Sequence, residues 1–296
     1  MVFSIKDKIE LSADKALCTR CGSCEAVCPS RVFRWSEGAI EIVAAGRCIG
    51  CGHCVAACPN AAFRHSELPL EQFAPLSAEP APPAEAIDRW LRERRTVRRF
   101  APEPLATEEI EGLLDAARYA PTSTNSQNVR FIVFSGVDKV RTLAGWTADY
   151  YFKLQRQLEN PFVRLGIQMA VGRKLVSAYR ARMPAIAEMF RATLEGEDRL
   201  FYDAPAVAIA FASGMPHLSA ASCGLAAAQI LLAAKSRGLG ACFNGYALTA
   251  LIRDKETRNR VGISPEYTPG AVLAIGRPAG RFYRVPPRLP RRVIWF

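Results

Sequence analysis

Hydrophobic and polar positions along the first quarter of the 296-residue chain predict short strands and turns. Apolar and polar residues alternate over residues 39–43, and this period of two is typical of a strand. We therefore predict a hairpin over residues 32–43 that turns at residues 37 and 38. A further short strand is predicted at residues 3–5.

The rest of the chain carries longer apolar periods. A helix is predicted from Thr107, which is expected to act as its N-cap because a hydroxyl can accept from the first turn. Its apolar residues recur every three or four positions: Ile110, Leu113, Leu114 and Ala117. Further helices are predicted over residues 137–201 and 222–237, the second ending at Gly238, with strands over residues 131–134, 204–212 and 271–276.

A proline-rich stretch separates the two parts. Five prolines lie between positions 69 and 83 among small and acidic residues, a composition typical of a semi-rigid linker. We expect a domain over residues 1–70, a linker over residues 71–85 and a second domain over residues 86–296.

The net charge of +11 is unevenly distributed, because residues 1–75 hold eight basic and eight acidic side chains. A basic balance can indicate nucleic-acid binding, but the arginines fall in a short motif suited to a small anion, so no nucleic-acid partner is expected. The first 11 residues carry charges without an apolar run, and residues 223–234 are shorter than the roughly 20 residues that span a bilayer. We expect a cytoplasmic protein that does not bind membranes.

Eight of the ten cysteines form two runs with identical spacing, C-x2-C-x2-C-x3-C-P. The runs are Cys18, Cys21, Cys24 and Cys28, then Cys48, Cys51, Cys54 and Cys58. Structural zinc and disulfides are the alternatives. Zinc sites usually pair two C-x2-C units across a longer gap, and disulfides are not expected without a secretory signal. The pattern therefore favours iron–sulfur clusters.

The two runs resemble those of two-cluster bacterial ferredoxins, in which the fourth cysteine of each run serves the other cluster. The resemblance implies two 4Fe-4S clusters. One would be held by Cys18, Cys21, Cys24 and Cys58, and the other by Cys48, Cys51, Cys54 and Cys28.

Two motifs of the second part are individually ambiguous. The sequence RRTVRRF at residues 94–100 could be a solvated basic helix end, and the polar loop in YAPTSTNSQNVRFIVF at residues 119–134 could be a simple turn. Together, in this order, they resemble the nitroreductase family of flavin-dependent oxidoreductases over residues 86–296. The resemblance implies an α+β fold, with a central mixed sheet flanked by helices, behind an N-terminal ferredoxin-like domain. It also implies a homodimer with FMN at the subunit interface.

The same resemblance assigns residues to FMN. The phosphate would contact Arg94, Arg95, Thr96 and Arg98, together with a C-terminal arginine, Arg284 or Arg288, with Arg291 as a further candidate. The loop residues Pro121, Thr122, Ser123, Asn125 and Gln127 would reach the flavin bound mainly by the partner subunit. Asn244 and Gly245 would lie near the reactive face of the ring. The chain departs from the family at Asn128-Val129, where Pro-Trp is usual, and at Asn244, where an acidic residue is common.

These assignments predict an FMN-dependent oxidoreductase that receives electrons through two clusters and reduces a nitroaromatic, a quinone or an activated alkene. Ferredoxin or NAD(P)H would be the donor. No catalytic side chain is identified, and the chemistry is expected to reside on FMN, with Asn244 as a possible neighbour. His53, His65 and His217 are expected to be structural. The alternative is an electron-transfer or redox-sensing module that serves a protein partner.

Overall fold

The computed structural model describes residues 9–36 and 39–296, which divide into two compact units. The first unit comprises Met1–Pro82 and Thr122–Asn128, and the second comprises Pro83–Pro121 and Val129–Phe296. The strand predicted at residues 3–5 and the turn at residues 37 and 38 lie outside the described residues. The loop over residues 122–128, which the sequence analysis placed in the second domain, groups with the first unit.

The first unit contains two small antiparallel sheets and two one-turn helices. Strands β1 (Leu11–Ala13) and β4 (Phe63–His65) pair in one sheet, and β2 (Phe33–Ser36) and β3 (Ala39–Ile42) pair in the other. The second pair gives the two predicted arms of the hairpin. Helices α1 (Ser23–Ala26) and α2 (His53–Ala56) each begin two residues after the second cysteine of a run. The rings of Phe33 and Phe63 meet edge to face at 4.9 Å in the core.

The second unit is built on a four-stranded sheet with the order β5-β6-β8-β7, in which every neighbouring pair is antiparallel. Its strands are β5 (Val129–Ser135), β6 (Ala206–Ser213), β7 (Gly240–Phe243) and β8 (Tyr267–Gly276). Parallel pairing among the described residues is limited to an isolated bridge between Thr96 and Ala241. The four-stranded sheet is therefore antiparallel, whereas a mixed sheet was predicted.

Eight helices of the described chain surround this sheet, and each packs on the sheet or on another helix. They are α3 (Ala84–Glu93), α4 (Thr107–Ala117), α5 (Val137–Glu159), α6 (Pro161–Val171), α7 (Arg173–Leu194), α8 (Pro216–Ser236), α9 (Gly245–Arg253) and α10 (Lys255–Val261). The predicted helical segment over residues 137–201 is thus three helices, α5 to α7. Residues 73–83 form neither helix nor strand.

Strand β6 is buried on both faces. Small and large apolar residues alternate along it, so one face is small and the other is large. Its alanines, such as Ala208 and Ala210, pack in a core with α4 and α8, whereas Ile209 and Phe211 pack in a second core with α5 and α7. The small face lets α8 approach closely. A Cβ atom at Gly270 of β8 would lie only 2.4 Å from the Cβ atom of Cys223 on α8.

The start of α4 differs from the prediction. Thr107 is the first helical residue, and Ala106 occupies the N-cap position. The Ala106 N–H donates to Glu109 Oε2 at 3.0 Å, so a carboxylate in the first turn binds the backbone N–H of the N-cap residue. The predicted buried positions Ile110, Leu113 and Ala117 are buried.

Among the described residues, α8 alone is long and apolar enough, by length and composition, to cross a membrane. The sequence analysis considered only residues 223–234, whereas the helix extends over 21 residues. Seven of them are buried: Ser219, Ser222, Cys223, Ala226, Ala227, Ile230 and Ala234. They face β6, β8 and α4, which is the position of a core helix.

Candidate functional site

Two cavities in the first unit are each lined by four cysteines. The first is lined by Cys18, Cys21, Cys24 and Cys58, and the second by Cys28, Cys48, Cys51 and Cys54. In each cavity three cysteines come from one run and the fourth from the other run, as the ferredoxin resemblance implied. Four thiols around one cavity are the donor set of a four-iron cluster, so the residues fit the predicted cofactor. No three His, Cys, Asp or Glu side chains of the described chain are placed to hold a single metal ion.

Backbone geometry brings the sulfur atoms together in the same way at both sites. Gly22 and Gly52 precede α1 and α2 with φ of 73° and 71°, a left-handed conformation that glycine adopts without a Cβ clash. Near the end of each run a backbone N–H donates to the last cysteine. The Val32 N–H lies 3.4 Å from Cys28 Sγ, and the Ala62 N–H lies 3.2 Å from Cys58 Sγ.

The two cysteine cavities differ in exposure. Cys21 of the first cavity is exposed, and its Sγ lies 3.3 Å from Ser23 Oγ. Cys54 of the second cavity is buried, and burial raises the pKa of its thiol to about 12. Since a cluster binds thiolates, loading of the second site must release a proton that the buried thiol otherwise holds tightly.

The side chain of His65 lies beside the second cavity and is only 4% exposed. Its Nδ1 accepts a hydrogen bond from the Glu67 N–H at 3.2 Å, and its Nε2 lies 3.9 Å from Cys48 Sγ. Burial lowers the pKa of His65, so the ring is neutral near pH 7. The sequence predicts only a structural role for this histidine, because the spacing gives no signal of its position next to a cysteine 17 residues away.

Within the first unit, the loop over residues 122–128 also contacts the chain segment that carries cysteines of the second cavity. The Asn125 side-chain amide donates to the carbonyl oxygens of Ile49 and Gly50, at 3.3 Å and 2.9 Å. These two residues lie between Cys48 and Cys51. Of the five loop residues predicted to contact FMN, Asn125 therefore has its amide N–H groups directed at the cysteine-bearing segment.

This loop has an unusual backbone. Thr124, Asn125 and Gln127 adopt φ of 50°, 51° and 45°, a left-handed region that is costly for a β-branched residue such as threonine. The Gln127 N–H donates to Thr122 Oγ1 at 2.9 Å, and the amide of Asn125 adds the two bonds described above. Strained conformations of this kind persist only where surrounding contacts hold them, and such segments cluster at functional sites.

The predicted phosphate ligands lie around two cavities of the second unit. Arg95, Thr96, Arg98 and Arg288 line a cavity of about 610 Å³ together with Arg99 and Arg281. Arg94 and Arg284 line a second cavity of about 400 Å³, which Arg95 also borders. Burial, and then the charges of Arg95 and Arg288, lower the pKa of Arg94. Such mutual repulsion among cations is relieved by a bound anion, so the arrangement suits a phosphate.

A further cavity of about 480 Å³ lies beside Asn244 and Gly245. Arg98 and Tyr246 line it, and Arg98 is therefore shared with the basic cavity. Cys242 also borders it; burial raises the pKa of this thiol, and the nearby Arg98 guanidinium opposes that effect. The cavity is mainly aromatic and aliphatic with cationic groups at its edge.

The amide of Asn244 bonds to the backbone around it through both its nitrogen and its oxygen. Its Oδ1 accepts from the Ala247 N–H at 2.9 Å and so caps α9, while its Nδ2 donates to the Leu200 carbonyl at 2.7 Å. The residue is buried. The Asn244 side chain, in the segment predicted to lie near the flavin, is therefore held as a cap.

Helix α7 contributes residues that the sequence analysis assigned to no chemistry. Leu175, Tyr179 and Arg182 line the 480 Å³ cavity from this helix. The excess of Tyr and Arg in residues 137–201 was the available signal, but periodicity alone could not show which of these side chains would face a cavity.

Both parts of the chain match known families. The model of the nitroreductase family matches residues 91–277, and that of the 4Fe-4S dicluster domain matches residues 10–59. Nitrobenzene nitroreductase of Ectopseudomonas oleovorans is 28% identical over 181 residues, which are 54% of this chain and 74% of that protein. Nitroreductase NfnB of Mycolicibacterium smegmatis is 28% identical over 166 residues, 54% of this chain and 70% of that protein.

Among solved structures, an FMN-bound nitroreductase from Bacteroides fragilis is similar with a TM-score of 0.53. The similarity covers 70% of this chain and 97% of that chain at 16% sequence identity, and it shows a shared fold.

Proposed function

Because this chain belongs to the nitroreductase family and carries a 4Fe-4S dicluster domain, we propose that it is an FMN-dependent oxidoreductase that reduces a small organic acceptor. Electrons would arrive through the two iron–sulfur clusters. A nitroaromatic, a quinone or an activated alkene is the acceptor class. Relatives named for nitrobenzene and chloronitrobenzene reduction support this choice. We place the protein in the cytoplasm, since a reducing compartment keeps cluster cysteines available.

The observation that carries this proposal is the 480 Å³ cavity beside Gly245. Small-molecule sites are typically concave, mainly apolar and about 300–1,000 Å³ in volume. Tyr151, Tyr246 and Ile186 give this cavity an apolar lining that suits a small aromatic molecule. An electron-transfer or redox-sensing module, the alternative, would have no need of such a cavity.

FMN, when bound, supplies the one-electron and two-electron chemistry. The chain's own residues would bind and orient it. Arg95, Thr96 and Arg98 would hold the phosphate with Arg288, because guanidinium groups can donate two parallel hydrogen bonds to phosphate oxygens. The aromatic cavity beside Gly245 would exclude water from the acceptor and position it.

A homodimer is part of the proposal. Ala221, Leu225 and Ala228 form an exposed apolar stripe on α8, opposite the face that packs on the sheet. In the described chain, Gln229 Oε1 on this helix is buried without a hydrogen-bond partner, a group that a second subunit could satisfy.

We expect Leu225→Glu to convert the dimer to a monomer, because a charge in an apolar interface is costly to bury. Sedimentation velocity of the holoprotein measures this change. Ser236→Glu, at the exposed end of the same helix, is the control and should leave the dimer intact. A Leu225→Glu variant that sediments as the wild type would place the subunit contact elsewhere.

The donor is tested with anaerobically purified holoprotein and a nitroarene acceptor. Reduced ferredoxin, NADH and NADPH are compared at equal concentration, with dithionite as a chemical reductant. We expect reduced ferredoxin and dithionite to support acceptor reduction, because each cluster accepts one electron at a time. If no donor supports acceptor reduction while FMN and iron are at full content, the enzyme proposal is wrong and the electron-transfer alternative takes its place.

A further inference from the structure

We propose that electrons enter at the Cys21 side of the ferredoxin-like unit and leave from the site of Cys28, Cys48, Cys51 and Cys54. His65 and Asn125 are the positioning residues of this exit site. The inference rests on the proposed function in assuming that both sites hold clusters, and on the family resemblance in assuming that the loop over residues 122–128 serves FMN.

Exposure distinguishes the two ends of the route. Cys21 is exposed, so an external donor protein can approach the first cluster site directly. Cys54 at the second site is buried, and His65 covers the same site with 4% of its surface exposed. An external donor protein can therefore approach the first cluster site more closely than the second.

His65 offsets the cost of placing charge at the second site. Its Nδ1 accepts from the Glu67 N–H, so the ring hydrogen of the neutral imidazole must reside on Nε2. That Nε2–H lies 3.9 Å from Cys48 Sγ. Burial disfavours the extra negative charge of a reduced cluster, whereas hydrogen bonds donated to its sulfur ligands favour that charge and raise the reduction potential. His65 is positioned to keep a buried cluster reducible.

Asn125 is an independent sign that the second site is the exit. Its amide bonds to the carbonyl groups of Ile49 and Gly50, between two cysteines of this site. The contact comes from a loop with three left-handed residues. The loop that the family resemblance assigns to FMN is thus fixed to the second site.

The transfer between sites involves electrons only. An external one-electron donor, such as a reduced ferredoxin or dithionite, reduces the first cluster. One electron then leaves that cluster, which is oxidised, and reduces the second. No proton moves and no bond is made or broken in this step.

The test is a redox titration of the holoprotein, with each cluster's midpoint followed by electron paramagnetic resonance. His65→Leu should shift the midpoint of one cluster to a more negative value, and His65→Gln, which keeps an N–H donor of similar reach, should restore it. His65→Asn is too short to reach Cys48 and provides a second variant if the leucine form loses iron. Ser23→Ala, beside Cys21, is the matched control and should leave the His65-sensitive midpoint unchanged.

Midpoints that do not move in either His65→Leu or His65→Asn, or that move equally for both clusters, would overturn the role of His65. These titrations need no acceptor, so they can succeed even if acceptor reduction, and with it the proposed function, fails. Conversely, normal nitroarene reduction with unchanged midpoints would remove this inference alone.

Asn125 is tested by rapid mixing with reduced ferredoxin. Asn125→Ala should slow bleaching of the flavin, measured per bound FMN, while the clusters are reduced at the wild-type rate. Asn259→Ala, at an exposed asparagine of α10, is the control. An Asn125→Ala variant with full FMN and a wild-type rate of flavin reduction would show that this contact does not define the exit.

Discussion

Cys24→Ala is expected to lower the iron content from about eight to about four atoms per chain, since two four-iron clusters each need four thiolates. Cys24 lines the first cysteine cavity from α1, and in the described structure that cavity contains no spare cysteine. Reduction of the acceptor by reduced ferredoxin should be lost, because the exposed cluster would be missing. Iron analysis after anaerobic reconstitution is the measurement.

Cys223→Ala is the control for this experiment. Cys223 is buried on α8 of the second unit, outside both cysteine cavities, so the variant should retain all of its iron. Wild-type iron below four atoms per chain would contradict the presence of two clusters. Unchanged iron in Cys24→Ala would remove this residue from the ligand set.

Arg98→Ala is expected to weaken FMN binding by roughly 10-fold to 100-fold, the effect of losing a charge-assisted hydrogen bond worth about 1.5–3 kcal/mol. Arg98 borders both the basic cavity and the cavity beside Gly245, so this variant should also raise the KM for the acceptor. Arg95 borders only the basic cavities. Arg95→Ala should therefore weaken FMN binding with little change in KM at saturating FMN.

Fluorescence titration of the apoprotein with FMN measures both variants. Arg118→Ala is the matched control, because Arg118 is exposed and pairs with its helix neighbour Asp115 at 3.3 Å. Exposed pairs of this kind contribute little. Equal FMN affinity in Arg98→Ala and wild type would exclude Arg98 from the phosphate site.

The features that could be predicted from the sequence are those that depend on neighbours along the chain. The resemblance to a nitroreductase fused to a two-cluster domain and the iron–sulfur clusters are confirmed by the family matches, and the solved relative confirms the α+β fold. Gly238, the predicted end of α8, has φ of 69°, and the Leu239 N–H returns to the Ala234 carbonyl at 2.8 Å. Each of these signals is carried by spacings of a few residues.

The features that could not be predicted join distant segments. Asn125 and Gly50 are 75 residues apart, and Tyr151, whose hydroxyl donates to the Tyr246 carbonyl at 3.3 Å, is 95 residues from its partner. Local spacing has no information about such pairs. The Thr107 prediction was wrong by one position, because the helix begins at Thr107 and Ala106 occupies the N-cap position.

The grouping of residues 122–128 with the first unit has a consequence for dissecting the protein. The chain passes between the two units at three places, after Pro82, after Pro121 and after Asn128. A cut in the proline-rich stretch therefore severs only one of three covalent connections. A fragment ending at residue 82 would lack the amide that binds the Ile49 and Gly50 carbonyls, and the complementary fragment would carry a left-handed loop deprived of its partners. Gene truncation is thus a poor way to separate the redox centres, and single-residue substitution in the full chain is the sound one.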